Sequence, residues 1–369
     1  MARRRQYLER MKDVFFRYIS KYNIISYDVD PPWRNVWGNQ EGSTLPEHPD
    51  WGEWGVYWGE VCNLENYVSS FAYLRDGIVL AGTGYWGKQG IYRSTNFGLT
   101  WTKVWSNSAI DGVNALVNLG GGIVLAGTGY SDNAGIYRST DYGLTWTKVW
   151  SNSAIDGVNA LVNLGGGIVL AGTGWSKAMI YRSTDYGLTW TKVWSSAELD
   201  GIAALAYLGG SGLFIGKSGI VLAGGGRWIG AGIYRSDDYG LTWTKQWSDI
   251  AVIALANLGD GVVLAGDGQG DGIYRSTDYG LTWTKVWSSA DGGAVNALVY
   301  LGGGGIVLAG TEWDAGIYRS TDYGLTWTNV WSSADIGAIL ALVYLGSGIA
   351  LAGGAYDVGK IYRSVHHHV

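Results

Sequence analysis

The stretch IYRSTDYGLTWTKVW, running from Ile136 to Trp150, decides how this chain folds. It holds a short β-branched and aromatic run, a turn at Asp141-Tyr142-Gly143, and a second run that ends in two tryptophans. Such composition favours two strands joined by a tight turn. Its opening tetrapeptide, Ile-Tyr-Arg-Ser, recurs from Ile91, Ile136, Ile180, Ile233, Ile273, Ile317 and Ile361, at separations of 45, 44, 53, 40, 44 and 44 residues. A period of that length belongs to a solenoid, a propeller or an array.

Working outward, each unit holds four β-like runs; in the second they are Val113–Leu119, Ile123–Thr128, Gly135–Ser139 and Leu144–Trp150. No helix-length amphipathic stretch separates them, so four strands per unit predicts propeller blades. The seventh Ile-Tyr-Arg-Ser ends at Ser364, five residues before the end, leaving its blade without a fourth strand. The phrase DWGEWGVYW (Asp50–Trp58) is a worn copy of the missing piece, with Trp54 and Trp58 spaced like Trp101 and Trp105. The expectation is an all-β, seven-bladed propeller over residues 50–365. A strand at 54–61 would close it by pairing with 361–364, since an open ring would expose a sheet edge and apolar blade faces.

Composition agrees. Hydrophobic residues make up 47% and charged residues 15%, enough to fill a core. Sixty glycines against four prolines, without a Gly-X-Y period, exclude collagen. A net charge of -5 argues against a nucleic-acid surface, and the single Cys62 excludes an intramolecular disulfide framework. Arg3, Arg4 and Arg5 imitate the start of a secretion signal, but the apolar segment that should follow is missing. No run of about 18 apolar residues spells a membrane span. Compartment stays open.

Six stretches, starting at Ser94, Ser139, Ser183, Ser236, Ser276 and Ser320, follow a Ser-x-Asp-x-Gly-x-Thr-Trp pattern, with Asn96 in place of the first aspartate. The pattern resembles the Asp-box, or BNR, repeat of sialidases, sortilin-type receptors, some xyloglucan hydrolases and photosystem assembly factors. That resemblance implies a propeller and leaves activity open, because the box accompanies unrelated functions. Read residue by residue, Asn96, Asp141, Asp185, Asp238, Asp278 and Asp322 are staples that accept amides of their own turns. One carboxylate per turn is poor metal coordination, so neither metal nor cofactor is expected. The sialidase resemblance implies an arginine triad for a carboxylate. Here, however, Arg93, Arg138, Arg182, Arg235, Arg275, Arg319 and Arg363 repeat in every unit, which points to structural arginines.

Variation concentrates in the loops between second and third strands. Residues 106–129 and 151–174 are identical over 24 positions, whereas these loops differ. Diversity on a constant scaffold is how recognition surfaces are built. The candidate ligand-binding residues are Tyr85, Trp86, Tyr130, Asp132, Trp175, Arg227, Trp228, Trp313, Asp314, Tyr356 and Asp357. Aromatics beside polar groups suit a glycan or a protein partner equally, and they also suit simple capping of their own blades. Asp111, Asp156, Asp200, Asp291 and Asp335 recur in the loops between blades, too alike to supply the distinct acid and base of a glycosidase.

Residues 1–49 are different material. Leu8, Met11, Phe15, Tyr18 and Ile19 share one helical face, and all four prolines follow. This predicts an amphipathic helix and an extended arm that docks on the ring, on other subunits or on a membrane surface. Residues 366–369 form a tail. The reading that results is a non-enzymatic recognition or structural propeller, anchored by its arm to a larger assembly such as a virion or a cell surface. A glycoside hydrolase or sialidase-like enzyme and an intracellular assembly factor are the alternatives.

Overall fold

The computed structural model of the protein describes residues 55–64, 66–84, 89–129, 133–174, 178–209, 219–226, 231–248, 250–288, 293–312, 316–333, 337–355 and 359–365. The chain divides into two units, Met1–Glu47 and His48–Val369. The helix expected around Leu8, Met11, Phe15, Tyr18 and Ile19 lies outside the described residues, as do Trp54 and the tail 366–369.

Among the described residues, twenty-eight strands form seven antiparallel four-stranded sheets, a seven-bladed β-propeller. Among the described residues no α-helix occurs; one 3-10 turn spans Gly303–Gly305. Blades 1 to 6 cover residues 68–105, 112–150, 158–196, 202–248, 252–287 and 295–332, each with its strands in chain order from the centre outward. Blade 7 has the inner strands Ala338–Gly346, Ile349–Ala355 and Lys360–Val365, with Tyr57–Asn63 on its outer edge.

Why these runs form strands is visible in blade 2. In its second strand, Ile123–Gly129, Val124, Leu125 and Ala126 are fully buried, and the strand is apolar on both faces because a neighbouring blade covers each. A side chain on Gly127 would place its Cβ 2.7 Å from Cγ1 of Val158 in blade 3, so only glycine admits that neighbour. The outer strand begins at Thr147, three residues later than the sequence suggests. The Asp141 carboxylate takes the amides of Leu144 and Thr145 at 3.0 and 2.9 Å, which removes both from any ladder.

The core is a set of seams. Seven apolar clusters form, each joining two adjacent blades; Leu345, Leu351 and Ile361 of blade 7 pack with Val68, Val79 and Ala81 of blade 1. Burying each such side chain is worth roughly 1.5–3 kcal/mol, so the seams carry the stability. Outer-strand tryptophans lie against tyrosines of the following blade, as Trp150 against Tyr181 at 4.6 Å and Trp331 against Tyr362 at 4.6 Å.

The outer strand of blade 7 has a register different from the expected one. Trp58 stands opposite Ser364, Gly59 opposite Arg363 and Cys62 opposite Ile361. In blade 2, Thr147 stands opposite Arg138 and Trp150 opposite Ile136. Gly59 therefore matches Thr147, and Cys62 takes the place of Trp150. Trp58 donates its indole N–H to the Gly55 carbonyl at 2.8 Å, as Trp146 does to Gly143 at 3.0 Å. Both glycines have positive φ, 72° and 83°. The segment that matches DYGLTWTKVW is thus EWGVYWGEVC (Glu53–Cys62), four residues on from the alignment of Trp54 and Trp58 with Trp101 and Trp105. The spacing of tryptophans misled because the second one has become cysteine here.

A candidate binding site at the channel mouth

The strands of a blade run alternately toward two faces, so the loops between second and third strands share a face with the starts of the innermost strands. Each loop leaves from a fixed stem. The Thr128 hydroxyl accepts the Gly135 amide at 3.1 Å, and Thr173 and Thr311 accept the amides of Met179 and Gly316 at 3.1 and 3.3 Å. Blade 5 has the buried Asp267 at this place. Its carboxylate accepts the amides of Ala251, Gln269 and Asp271 at 3.1, 3.0 and 2.8 Å, which folds the short loop back on itself. The loop residues proposed from sequence, Tyr85, Trp86, Tyr130, Asp132, Trp175, Arg227, Trp228, Trp313, Asp314, Tyr356 and Asp357, all lie outside the described residues.

Between these stems the structure assembles a site that sequence reading did not single out. Every innermost strand has a register irregularity next to its start, between Val68 and Ser70, Val113 and Ala115, Val158 and Ala160, Ile202 and Ala204, Val252 and Ala254, Val295 and Ala297, and Ile339 and Ala341. A bulge re-aims the extra side chain. The seven residues so placed are Ser69, Asn114, Asn159, Ala203, Ile253, Asn296 and Leu340, all half-buried. They form a collar around the central channel, polar over blades 1 to 3 and at blade 6, apolar elsewhere. Below it lies a ring of Phe71, Leu116, Leu161, Leu205, Leu255, Leu298 and Leu342. Together with Ser70 and the alanines between them, these residues, Asn114 excepted, line an open cavity of about 240 Å³.

The polar members are held differently. Ser69 donates from Oγ to the Gly82 and Val113 carbonyls at 3.1 and 2.7 Å. Asn114 donates from Nδ2 to Oδ1 of Asn159 at 3.0 Å, linking blades 2 and 3. Nδ2 of Asn296 is buried with no hydrogen-bond partner. Asn159 packs so closely on Gly174 that a Cβ there would sit 1.8 Å from its Nδ2. Gly174 immediately precedes Trp175, which ties the collar to the root of a variable loop. No titratable side chain is among the described residues around the cavity. The signal that could have found this site is one varying position, Ser, Asn, Asn, Ala, Ile, Asn, Leu, inside an otherwise near-constant Val-x-Ala-Leu frame.

The opposite face carries the boxes. Asp185 accepts from Ser183 Oγ, the amides of Leu188 and Thr189, and Thr189 Oγ1 at 2.8, 3.0, 2.9 and 2.6 Å; Asp141, Asp238, Asp278 and Asp322 repeat the set. Asn96 keeps the turn by accepting from Ser94 Oγ and the Thr100 amide, both at 2.9 Å, and donating to Thr100 Oγ1. Burial pushes these carboxyls up, but the hydrogen bonds from threonine, serine and backbone outweigh it and hold them below the usual value; Asp185 lies at about 2. Among the described residues no cluster of His, Cys, Asp or Glu could hold a metal.

The repeated arginines join blades. Nε of Arg93, Arg138, Arg182, Arg275 and Arg363 donates to the carbonyls of Tyr142, Tyr186, Tyr239, Tyr323 and Phe97 in the following blade, at 2.9–3.1 Å. The acceptor residue has positive φ in each case, 56–59°, which turns its carbonyl toward the neighbour. Arg235 differs: it pairs with Asp237 at 2.5 Å, the one acidic residue at this position of the six boxes, and leaves its Nε buried without a partner.

The BNR-Asp box repeat family matches residues 233–246, the third strand and box of blade 4. No curated protein sequence is significantly similar to the chain. Solved structures share its architecture. YCF48 bound to D1 peptide is 14% identical, with a TM-score of 0.62 over 84% of this chain and 97% of that one. A GH74 xyloglucanase from Xanthomonas campestris is 19% identical, with a TM-score of 0.63 over 82% of this chain and 53% of the enzyme, about half its length. The WD40 propeller domain of Doa1 is 13% identical, with a TM-score of 0.61 over 83% and 97%. At these identities the likeness is one of fold, and it spans both enzymes and non-enzymatic propellers.

Proposed function

We propose that this seven-bladed Asp-box propeller is a non-catalytic recognition module, binding a peptide or glycan on the face that carries the variable loops. The observation that carries this reading is the set of seven bulges. They place one variable residue per blade at the channel mouth, between the roots of the loops that vary in sequence. A framework repeated almost without change, with its differences gathered at one mouth and the loops around it, is built to present a surface. YCF48, which shares the fold, was solved with a bound D1 peptide, and that supports a peptide ligand. Residues 1–49 act in this reading as an attachment to other subunits of a larger assembly, and the strand Tyr57–Asn63 holds the ring closed.

The test is binding on glycan and peptide arrays by the full chain and by Trp175→Ala and Trp313→Ala variants. Recognition through the loops predicts a retained signal from the parent and a weakened one from at least one variant at unchanged melting temperature. Turnover of xyloglucan or aryl glycosides that is lost on changing one aspartate would overturn the reading in favour of an enzyme. Removal of residues 1–49 should leave a folded ring that no longer joins its assembly; an unfolded product would contradict the attachment role.

A further inference from the structure

We infer that the seam between blades 4 and 5 opens at its outer edge more readily than the latched seams, and that Asp237 is the residue that keeps it unlatched. The chain supplies its own comparison. In five blades the repeated arginine donates Nε to a carbonyl of the next blade. The residue two places after that arginine is neutral in each of them: Thr95, Thr140, Thr184, Thr277 and Val365. In blade 4 it is Asp237. The Arg235 guanidinium turns to this carboxylate through Nη2 at 2.5 Å, and its Nε, the atom that makes the latch elsewhere, is buried without a partner. The turn on the blade 5 side is shaped as in the latched seams. Tyr279 has a φ of 62°, beside 56–59° for the five residues that accept a latch. Residues 273–287 also repeat the sequence of 136–150 and 180–194 without a change. The difference therefore originates in blade 4.

The tryptophans of this seam are rearranged too. Trp247 and Trp283 stack at 6.2 Å and 7°, where Trp105 with Trp146 and Trp150 with Trp190 tilt at 49° and 47°. The inner half is held in the ordinary way. Asn257 donates Nδ2 to the Tyr207 carbonyl at 3.1 Å, and Leu208, Ile220, Leu222 and Ile233 of blade 4 pack with Val252, Val263 and Ala265 of blade 5. Opening is thus confined to the outer strands, and the ring stays closed around its channel. The energetics favour it here and not elsewhere. In the closed seam the Arg235 Nε is desolvated and unbonded, which is unfavourable. Parting the outer strands gives it water and leaves its pair with Asp237, whose side chain is 63% exposed, intact. In a latched seam the same movement breaks a hydrogen bond.

Hydrogen exchange of the full-length protein, followed by mass spectrometry, tests this. Residues 136–150, 180–194 and 273–287 share one sequence and hence one set of intrinsic rates, and peptides reaching into their unlike flanks tell them apart. The first two are latched by Arg93 and Arg138; the third is not. Amides of 273–287 should exchange about five- to tenfold faster than those of the other two. Asp237→Thr, which gives blade 4 the box of its neighbours, should slow 273–287 to their rate. Thr140→Asp, which copies the blade 4 box into blade 2, should draw Arg138 from Tyr186 and speed 180–194 by a similar factor, while 273–287 keeps its rate. Each substitution installs a residue that another box already carries, so both variants should fold. Equal protection of the three stretches in the parent, or exchange at 273–287 that Asp237→Thr leaves unchanged, would overturn the inference.

Discussion

Changing Asp185 to alanine and to asparagine separates what the box carboxylate contributes as a shape from what it contributes as a charge. The carboxylate accepts four hydrogen bonds, and the one from Thr189 Oγ1, at 2.6 Å, is the shortest. Its carboxyl lies at about 2 instead of 3.8, although burial by itself would raise it, because the donors from Thr189, Ser183 and Leu188 prevail. At about 1.36 kcal/mol per pH unit, that shift corresponds to roughly 2.4 kcal/mol favouring the folded state. The side chain is partly exposed, so screening reduces this to about 1–1.5 kcal/mol. Asp185→Ala loses that term and leaves turn amides without an acceptor, for a total of about 2–3 kcal/mol. Asp185→Asn should cost only the carboxylate contribution, about 1–1.5 kcal/mol, because Asn96 already holds the same turn in blade 1 through its Oδ1 and Nδ2. Since the folded carboxyl titrates below the unfolded one, its stabilisation is complete above pH 3.8 and disappears as pH falls toward 2. Chemical denaturation of both variants and the parent at neutral pH and near pH 2.5 checks this. The parent should converge on Asp185→Asn in acid. A parent that keeps its full advantage over Asp185→Asn near pH 2.5, or an asparagine variant as damaged as the alanine one, would refute the reasoning.

The register of the closing strand predicts opposite outcomes at two nearby glycines. Gly55→Ala strains a positive φ of 72° and brings a Cβ within 2.9 Å of Leu308, so denaturation should show a loss of about 1–2 kcal/mol. Gly59→Thr, at a place where a Cβ meets nothing within 4 Å and blade 2 already has Thr147, should be neutral or stabilising by up to about 1 kcal/mol. Equal effects at both sites would contradict the alignment of Glu53–Cys62 with the box. Arg363→Ala removes the hydrogen bond to Phe97 across the seam between blades 7 and 1 and should lower stability by about 1 kcal/mol in urea titrations. Gly174→Ala must displace the Asn159 amide and break its bond with Asn114. It should weaken binding at the mouth while thermal melting moves by only a few degrees, and unchanged affinity would detach Asn159 from the site.

What can be read along this chain is what repeats. Ile-Tyr-Arg-Ser, the Asp-x-Gly turn and the Val-Leu-Ala-Gly run each recur at one period, and their chemistry is local: a carboxylate capturing amides four residues on, a glycine with positive φ, a strand apolar on both faces. Local interactions leave their mark in adjacent residues, so the blade count, the all-β class and the staple role of Asp141 and its equivalents follow from sequence alone. The features that only the folded ring decides depend on residues far apart in the chain. A four-residue displacement of the closing strand is invisible when tryptophans alone are matched, because pairing with Lys360–Val365 and the seat of Gly55 against Leu308 select the register. The arginines are latches because each reaches a carbonyl in the next blade. Asn114, Asn159 and Asn296 became a candidate site for the same reason. In a flat reading each is one polar residue in an apolar strand; the closed ring brings the bulges of separate blades to one mouth, where Asn114 bonds Asn159 across a seam, and no pattern of neighbours in the sequence encodes that meeting.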